Sequence, residues 1–271
     1  MAGQIHYGAN EHQAQWLAEG DRLACRLRHD IPRYGEAIFE RQAGGELRFR
    51  LEARREPREV AMARLVSAPP QWMHDTMPRD LGQVDVRLER ATINLPEAQA
   101  QRLLIELEHG MFPSLSFSDW ADGRDEVVVS LSAVRIREAL SEFLLCQDAQ
   151  FPYAPDEIRN TIVQFAFDKS DLSLQARQRL DLVAEYMLLD ETIEGVLLEG
   201  RTDSRGGPRY NDTLSMRRAQ AVRDYLHSKG ITEERFQFSL QAYGERRPLA
   251  SNRSETGRAQ NRTVAVTLQG G

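Results

Sequence analysis

The segment Gly200-Arg201-Thr202-Asp203 is followed by the run Tyr210-Asn211-Asp212-Thr213-Leu214-Ser215-Met216-Arg217-Arg218-Ala219. The first places a carboxylate at the end of an expected strand. The second places a guanidinium inside the helix that should follow. With a helix from about Asn211 to Lys229 and about 100° per residue, Leu214, Ala221, Val222, Tyr225 and Leu226 form one apolar stripe. Arg218 falls in the middle of that stripe, Arg217 at its edge, and Arg223 on the opposite side. A guanidinium on the core-facing side needs a partner, because an unpaired buried charge is very costly. Asp203 is the nearest candidate. Two readings are open. In one, Asp203 and Arg218 form a semi-buried structural ion pair, as is common in proteins. In the other they stand slightly apart and clamp a zwitterion, Asp203 taking an ammonium and Arg218 a carboxylate.

The surrounding motifs occur in a fixed order: Phe165-Ala166-Phe167-Asp168, Glu199-Gly200-Arg201-Thr202-Asp203, Leu214-Ser215-x-x-Arg218-Ala219, Tyr243-Gly244-Glu245-x-x-Pro248 and Asn261-Arg262-x-Val264. In this order the chain from about Ile158 to Leu268 resembles the OmpA-like C-terminal domain, a peptidoglycan-binding module of Gram-negative envelopes. Several ordered motifs are a more specific signal than any lone one. The resemblance implies that Asp203 and Arg218 bind the diaminopimelate of the peptide stem. It also implies that Phe165–Asp168 lies on the first strand, and it places Asp168, Ser170, Thr202, Asn211, Leu214 and Arg262 in or around the site. The chain departs from the family at three places. Arg201 stands for a common histidine, Thr263 for the second arginine of Asn-Arg-Arg-Val, and Ser170 for an asparagine that several members place against the ligand.

The elements that must hold these residues belong to an α+β chain of two domains. The stretch Gln150-Phe151-Pro152-Tyr153-Ala154-Pro155 is the natural boundary, giving residues 1–150 and 151–271. The C-terminal part is expected to be an OmpA-like α/β sandwich, a mixed sheet with helices packed on it. The N-terminal part reads as mainly antiparallel sheet, or a partial barrel, with one or two helices. Leu47, Phe49, Leu51 and Ala53 alternate with Arg48, Arg50, Glu52 and Arg54, and Gly44-Gly45 just before them predicts a hairpin. Val84, Val86 and Leu88 alternate likewise, and Val127–Leu131 reads as a strand. Pro96, Glu97, Leu103, Leu104, Leu107 and Gly110 mark one helix, and a second is expected over about Val134–Leu145.

Composition excludes several classes. A net charge of -6 argues against nucleic-acid binding, and a 41% hydrophobic fraction supplies ordinary cores. No apolar run approaches the roughly 20 residues of a membrane span. Met1-Ala2-Gly3-Gln4 lacks the basic start and apolar segment of a signal peptide, so an exported chain is expected here in mature form with an added Met. No cysteine lies near the start to carry a lipid. His6, His12, His29, His74, His109 and His227 show no metal-ligand spacing, so neither metal nor cofactor is expected. Gly206-Gly207-Pro208 precedes a helix but lacks a P-loop lysine, and reads as a turn. Glu36, Glu40, Asp122, Asp125 and Glu126 read as solvated turn and strand residues. No nucleophile–base pair follows from spacing, so the expectation is a non-enzyme. Trp72, beside Pro69-Pro70, either caps the sheet core or stands exposed as an interface residue, and Phe117 and Trp120 pose the same question.

In the N-terminal half, Cys25-x-Leu27, Ile31-Pro32-x-Tyr34-Gly35-x-Ala37-x-Phe39, Pro69-Pro70-x-Trp72 and Gly110-Met111-Phe112-Pro113-x-x-Ser116-Phe117-x-Asp119-Trp120 occur together. With the C-terminal module they resemble the MotY family of periplasmic components of the polar flagellar motor. That resemblance covers essentially the whole chain. It implies an N-terminal domain that joins the flagellar basal body and a MotX-like partner in a ring that recruits and holds stator complexes. It also implies a C-terminal domain that anchors the ring to the wall. In an exported protein Cys25 and Cys146 can pair within the first domain. The runner-up function is a peptidoglycan-binding scaffold of another envelope system, and a cell-wall hydrolase is weaker still.

Overall fold

The computed structural model describes residues 4–55, 61–70, 72–118 and 126–270. The chain forms two compact units, Met1–Pro152 and Tyr153–Gly271. Trp120, Asp122 and Asp125 lie outside the described residues.

The first unit contains β1 (Gln4–Tyr7), β2 (Trp16–Gly20), β3 (Ala24–Ile31), β4 (Gly35–Gln42), β5 (Arg48–Ala53), β6 (Ala61–Ala68), β7 (Arg79–Val86) and β8 (Ala91–Leu95). Helix α1 (Glu97–Glu108), β9 (Phe112–Ser118), β10 (Glu126–Ser130) and helix α2 (Ile136–Asp148) complete it. The strands form two five-stranded sheets, β2-β3-β4-β5-β8 and β1-β10-β9-β6-β7. All pairings are antiparallel except β1 with β10, where Ile5 faces Val127. The expected β5 alternation is present: Phe49, Leu51 and Ala53 are buried while Arg48, Arg50 and Glu52 face outward. That outward face carries cross-strand ion pairs, Arg28 with Glu36 at 2.8 Å and Arg26 with Glu40 at 3.0 Å. Such exposed pairs each contribute little.

One core draws on both sheets and both helices, including Phe39 and Phe49 from the strands, Leu103 and Leu107 from α1, and Phe143 from α2. Phe117 belongs to it. Trp72 does not: it is 54% exposed, with its ring edge-on to Phe112 at 5.9 Å. The expected alternation through Leu88 stops at Val86, where β7 ends, and Leu88 is exposed. The second helix begins two residues later than expected and runs three further, to Asp148. This extension carries Cys146 within the helix. Cys146 is bonded to Cys25 of β3, with Cα atoms 6.0 Å apart.

The second unit contains α3 (Pro155–Arg159), β11 (Asn160–Gln164), α4 (Leu174–Leu189), β12 (Ile193–Gly200), α5 (Pro208–Ser228), β13 (Gln237–Ala242), α6 (Glu255–Asn261) and β14 (Thr263–Gly270). Its sheet has the order β11-β14-β12-β13. Only β12 and β13 run parallel, so the sheet is mixed. Leu180, Val183 and Met187 of α4 and Leu214, Val222 and Leu226 of α5 bury the apolar stripes of the two helices. Phe165–Asp168 follows β11 rather than forming part of it, and this places the segment in the loop beside α5.

Candidate functional site

The site lies where β12 gives way to α5. Asp203 stands three residues past the end of β12, in the loop rather than on the strand. Gly206, at φ 100°, turns the chain, and Pro208 opens α5 with its fixed φ and no unsatisfied donor. Gly200 sets how closely the helix sits: a Cβ there would lie 2.1 Å from the Ser215 carbonyl oxygen. The end of β12 therefore touches the backbone of α5.

Arg218 is in the apolar stripe, as its helical phase predicts, and is only 1% exposed. It forms no ion pair with Asp203. Its Nε donates to the Lys169 carbonyl at 2.8 Å, and its two terminal nitrogens donate to the carbonyls of Arg201 at 3.0 Å and Ala166 at 3.1 Å. The cation also lies over the Phe165 ring at 5.2 Å. A guanidinium has five N–H donors, so these three bonds leave one on each terminal nitrogen. Burial pulls the Arg218 pKa down to about 10, with Asp203 opposing the shift. It remains a cation at neutral pH.

Asp203 is itself buried, and its partner is Arg262 at 2.9 Å. Its other oxygen accepts the Arg205 backbone N–H at 3.1 Å. Arg262 also reaches Glu255 at 3.1 Å, and Glu255 pairs in turn with Arg205 at 2.7 Å. The acid is thus fixed from behind by Arg262, while Arg218 is fixed by backbone carbonyls of the loop after β11 and of Arg201 just past β12.

Between them lies a pocket of about 180 Å³. Of the residues singled out in the sequence, Asp168, Thr202, Asp203, Leu214, Arg218 and Arg262 line it. Its two carboxylates, Asp168 and Asp203, face three guanidiniums, those of Arg205, Arg218 and Arg262. Arg205 and Arg262 are already paired with Glu255 and Asp203, so Arg218, held by carbonyls alone, is the cation left for an anionic group, and the two acids retain lone pairs for an ammonium. The Thr202 hydroxyl is buried and has no hydrogen-bond partner among the described residues. Ser170 and Asn211 do not line the pocket. Asn211 is buried and donates to Glu245 at 2.6 Å, which ties α5 to the loop after β13.

Four lining residues were not singled out for the site: Phe167, Arg205, Gly206 and Tyr210. Tyr210 donates to Asp168, and that bond holds its phenol pKa above the ordinary value. Arg205 lies over Phe167 at 5.0 Å. Position was the available signal, since Arg205 is two residues after Asp203 and Tyr210 lies in the first turn of α5. Among the described residues no cluster of His, Cys, Asp and Glu could hold a metal, and no helix is long and apolar enough to cross a membrane.

Comparison with known proteins matches residues 7–152 to the MotY N-terminal domain and residues 164–262 to the OmpA family. The sodium-type flagellar protein MotY of Vibrio parahaemolyticus is 32% identical over 97% of this chain and 89% of its own length. Outer membrane protein A of Bordetella avium is 40% identical over 44% of this chain and 60% of its own length. The crystal structure of the peptidoglycan-associated lipoprotein from Burkholderia pseudomallei is 30% identical, covers 40% of this chain and 89% of its own, and superposes with a TM-score of 0.37. With its first unit matched to a single domain family and a relative aligned along nearly its full length, the chain belongs to the MotY family.

Proposed function

We propose that this protein is a non-enzymatic periplasmic component of the flagellar motor that ties a ring at the basal body to the cell wall. Residues 1–150 make the contacts with the basal body, a MotX-like partner and the stator complexes. Residues 151–271 bind peptidoglycan through the diaminopimelate of its stem peptide. The observation that carries this reading is the pocket holding Asp203 and a buried, cationic Arg218, found within the stretch matched to the OmpA family.

Diaminopimelate offers an ammonium and a carboxylate on one carbon. In this reading Asp203 accepts the ammonium, and the two free N–H groups of Arg218 take the carboxylate. The Thr202 hydroxyl supplies a further donor or acceptor beside them. Arg262 braces Asp203, and Asp168 with Tyr210 forms the outer wall. A contact of this size binds weakly, because ordering and desolvation offset most of its gain. Repetition around a ring raises the effective concentration and converts weak contacts into firm attachment.

The test is a gene deletion complemented with the wild-type chain or with Asp203→Ala. Deletion should abolish swimming while filaments still assemble, and the variant should fail to restore motility or to pellet with purified sacculi. Normal swimming in the deletion strain would refute the motor assignment and favour a wall-binding scaffold of another system.

A further inference from the structure

Helices α1 and α2 bury one stripe each and leave a second uncovered. The core takes Ala100, Leu103 and Leu107 from α1, and Ile136, Ala139, Leu140 and Phe143 from α2. On α1, Glu97, Gln101, Leu104, Ile105 and Glu108 recur at helical spacing on an adjacent face. On α2, Leu140, Leu144 and Gln147 do the same. These two faces border a groove of about 460 Å³, floored in part by Leu47. Ile105 is 50% exposed and Leu144 43%, and Leu145 beside it is 66% exposed. Contiguous exposed apolar residues with a polar rim mark interaction sites more often than chance surface does.

The rim states the chemistry of the occupant. Glu97 and Glu108 stand at the two ends of the α1 face, and among the described residues neither forms a salt bridge; Glu97 accepts from Gln101 at 2.9 Å. Arg41 is the one basic residue of the lining, and its Nε is engaged by the Gly45 carbonyl at 3.2 Å. An apolar trough between two helices, closed at both ends by carboxylates with no ion-pair partner among the described residues, suits an amphipathic helix bearing basic residues. At about 1.5 Å per residue the two glutamates are separated by roughly 16 Å along α1, or about three turns.

We infer that this groove receives an amphipathic helix of a partner protein. That helix has apolar residues at i, i+4 and i+7 or i+8, flanked by Lys or Arg about eleven residues apart. The inference rests on the reading that residues 1–150 make the motor contact, and it assigns that contact to the α1–α2 face. Ile105 and Leu144 fill the trough from either wall, while Glu97 and Glu108 fix the register of the incoming helix.

The experiment places a photo-cross-linking residue at Ile105 or Leu144 of the full chain in cells, with Met62 on β6 as the exposed control. The linked peptide is then identified by mass spectrometry. The expected product is a segment of another protein with the stated apolar spacing and two flanking basic residues. Glu97→Lys with Glu108→Lys should lower its yield about tenfold, the effect of losing about 1.4 kcal/mol, and reversing the partner's two basic residues should restore it. A product within the same chain, a second copy of the chain, a segment without basic flanks, or a yield no higher than at Met62 would each overturn the assignment. Ile105→Glu with Leu144→Glu separates the two readings. If it abolishes the cross-link from a neighbouring probe yet leaves swimming intact, the α1–α2 face is not the motor contact and the groove assignment fails, whereas the motor reading fails only if the deletion strain itself swims. If swimming is lost in the deletion strain but no cross-link forms, only the groove assignment fails.

Discussion

The carboxylate of Asp203 is paired with Arg262 at 2.9 Å, while Arg218 is held by three backbone carbonyls. Neither partner of the candidate clamp therefore depends on the other for its position. The pocket can stay open without ligand, because neither charge has to collapse onto its opposite. The next two predictions follow from this separation.

Asp203→Ala removes the ammonium acceptor but leaves Arg262 with Glu255 as a partner. Sacculus retention should fall by about tenfold or more, the loss of one charge-assisted hydrogen bond, while the melting temperature of the second unit changes little. A pull-down with purified sacculi, run beside a circular-dichroism melt, checks both. Undiminished retention would remove Asp203 from the site.

Arg218→Ala should behave differently. It strands the carbonyls of Ala166, Lys169 and Arg201, and each buried unsatisfied group costs about 1–3 kcal/mol. The variant should lose at least about 3 kcal/mol of stability in urea unfolding, together with wall binding. Arg218→Lys should recover part of the stability without the bidentate carboxylate contact. Equal stability of Asp203→Ala and Arg218→Ala would contradict the separate anchoring of the two groups.

The disulfide should contribute on the order of 4 kcal/mol to the first unit through the long loop it closes, with strain and residual structure reducing the figure. Replacing Cys25 and Cys146 by Ser should lower the protein's abundance in the periplasm and leave sacculus binding unchanged. Thiol titration of the unreduced protein should find no reactive thiol; finding two would refute the bond.

His29 gives the first unit a defined acid response. Its ring is buried and stacked on Trp16 at 4.5 Å, and its Nδ1 is held at 2.8 Å from the Gln15 carbonyl. Burial lowers its pKa below the ordinary 6.5, so the unfolded chain takes the proton first. Stability is therefore fully present above about pH 6.5 and declines as pH falls from there through the folded pKa. Urea midpoints measured between pH 7.5 and 5 should decline, and His29→Gln should flatten that decline. An unchanged slope in the variant would assign the response to other groups.

Fragments should divide the activities. A chain ending at Pro152 should fold and reach the basal body but support swimming poorly. The fragment from Tyr153 should bind sacculi without localising to the flagellar pole. Ending the first fragment at Gln150 instead removes Phe151, which is fully buried and whose N–H donates to the Arg22 carbonyl at 2.8 Å. That truncation should cost about 2–3 kcal/mol. Polar localisation of the C-terminal fragment alone would reverse the assignment of targeting.

Arg218 was legible because a charge inside a helical apolar stripe breaks a pattern of known period. The β4–β5 hairpin was legible for a similar reason, with strict alternation following a glycine pair. Arg262 as the partner of Asp203 was less so: the two are 59 residues apart, and Arg262 sits in a polar run with no periodicity. Backbone acceptors leave no side-chain signature, so the carbonyls around Arg218 could not be read at all. The same limit hid the pairing of β1 with β10 across most of the first unit, since register between distant strands depends on the closed core. Trp72 had two readings in sequence, and its exposure followed only from the loop packing it edge-on to Phe112.

The bond between Cys25 and Cys146 has a mechanical consequence. Tension arriving from the second unit enters the first through Pro152, and can draw out only Gln147–Pro152 before it reaches the Cys146 sulfur. From there it passes into β3, a strand hydrogen-bonded on both sides, to β2 and to β4. Helix α2 therefore cannot be peeled away turn by turn. The 121-residue separation closed by the bridge is bypassed by the load path, so the first unit can remain folded while the chain at its boundary is pulled taut.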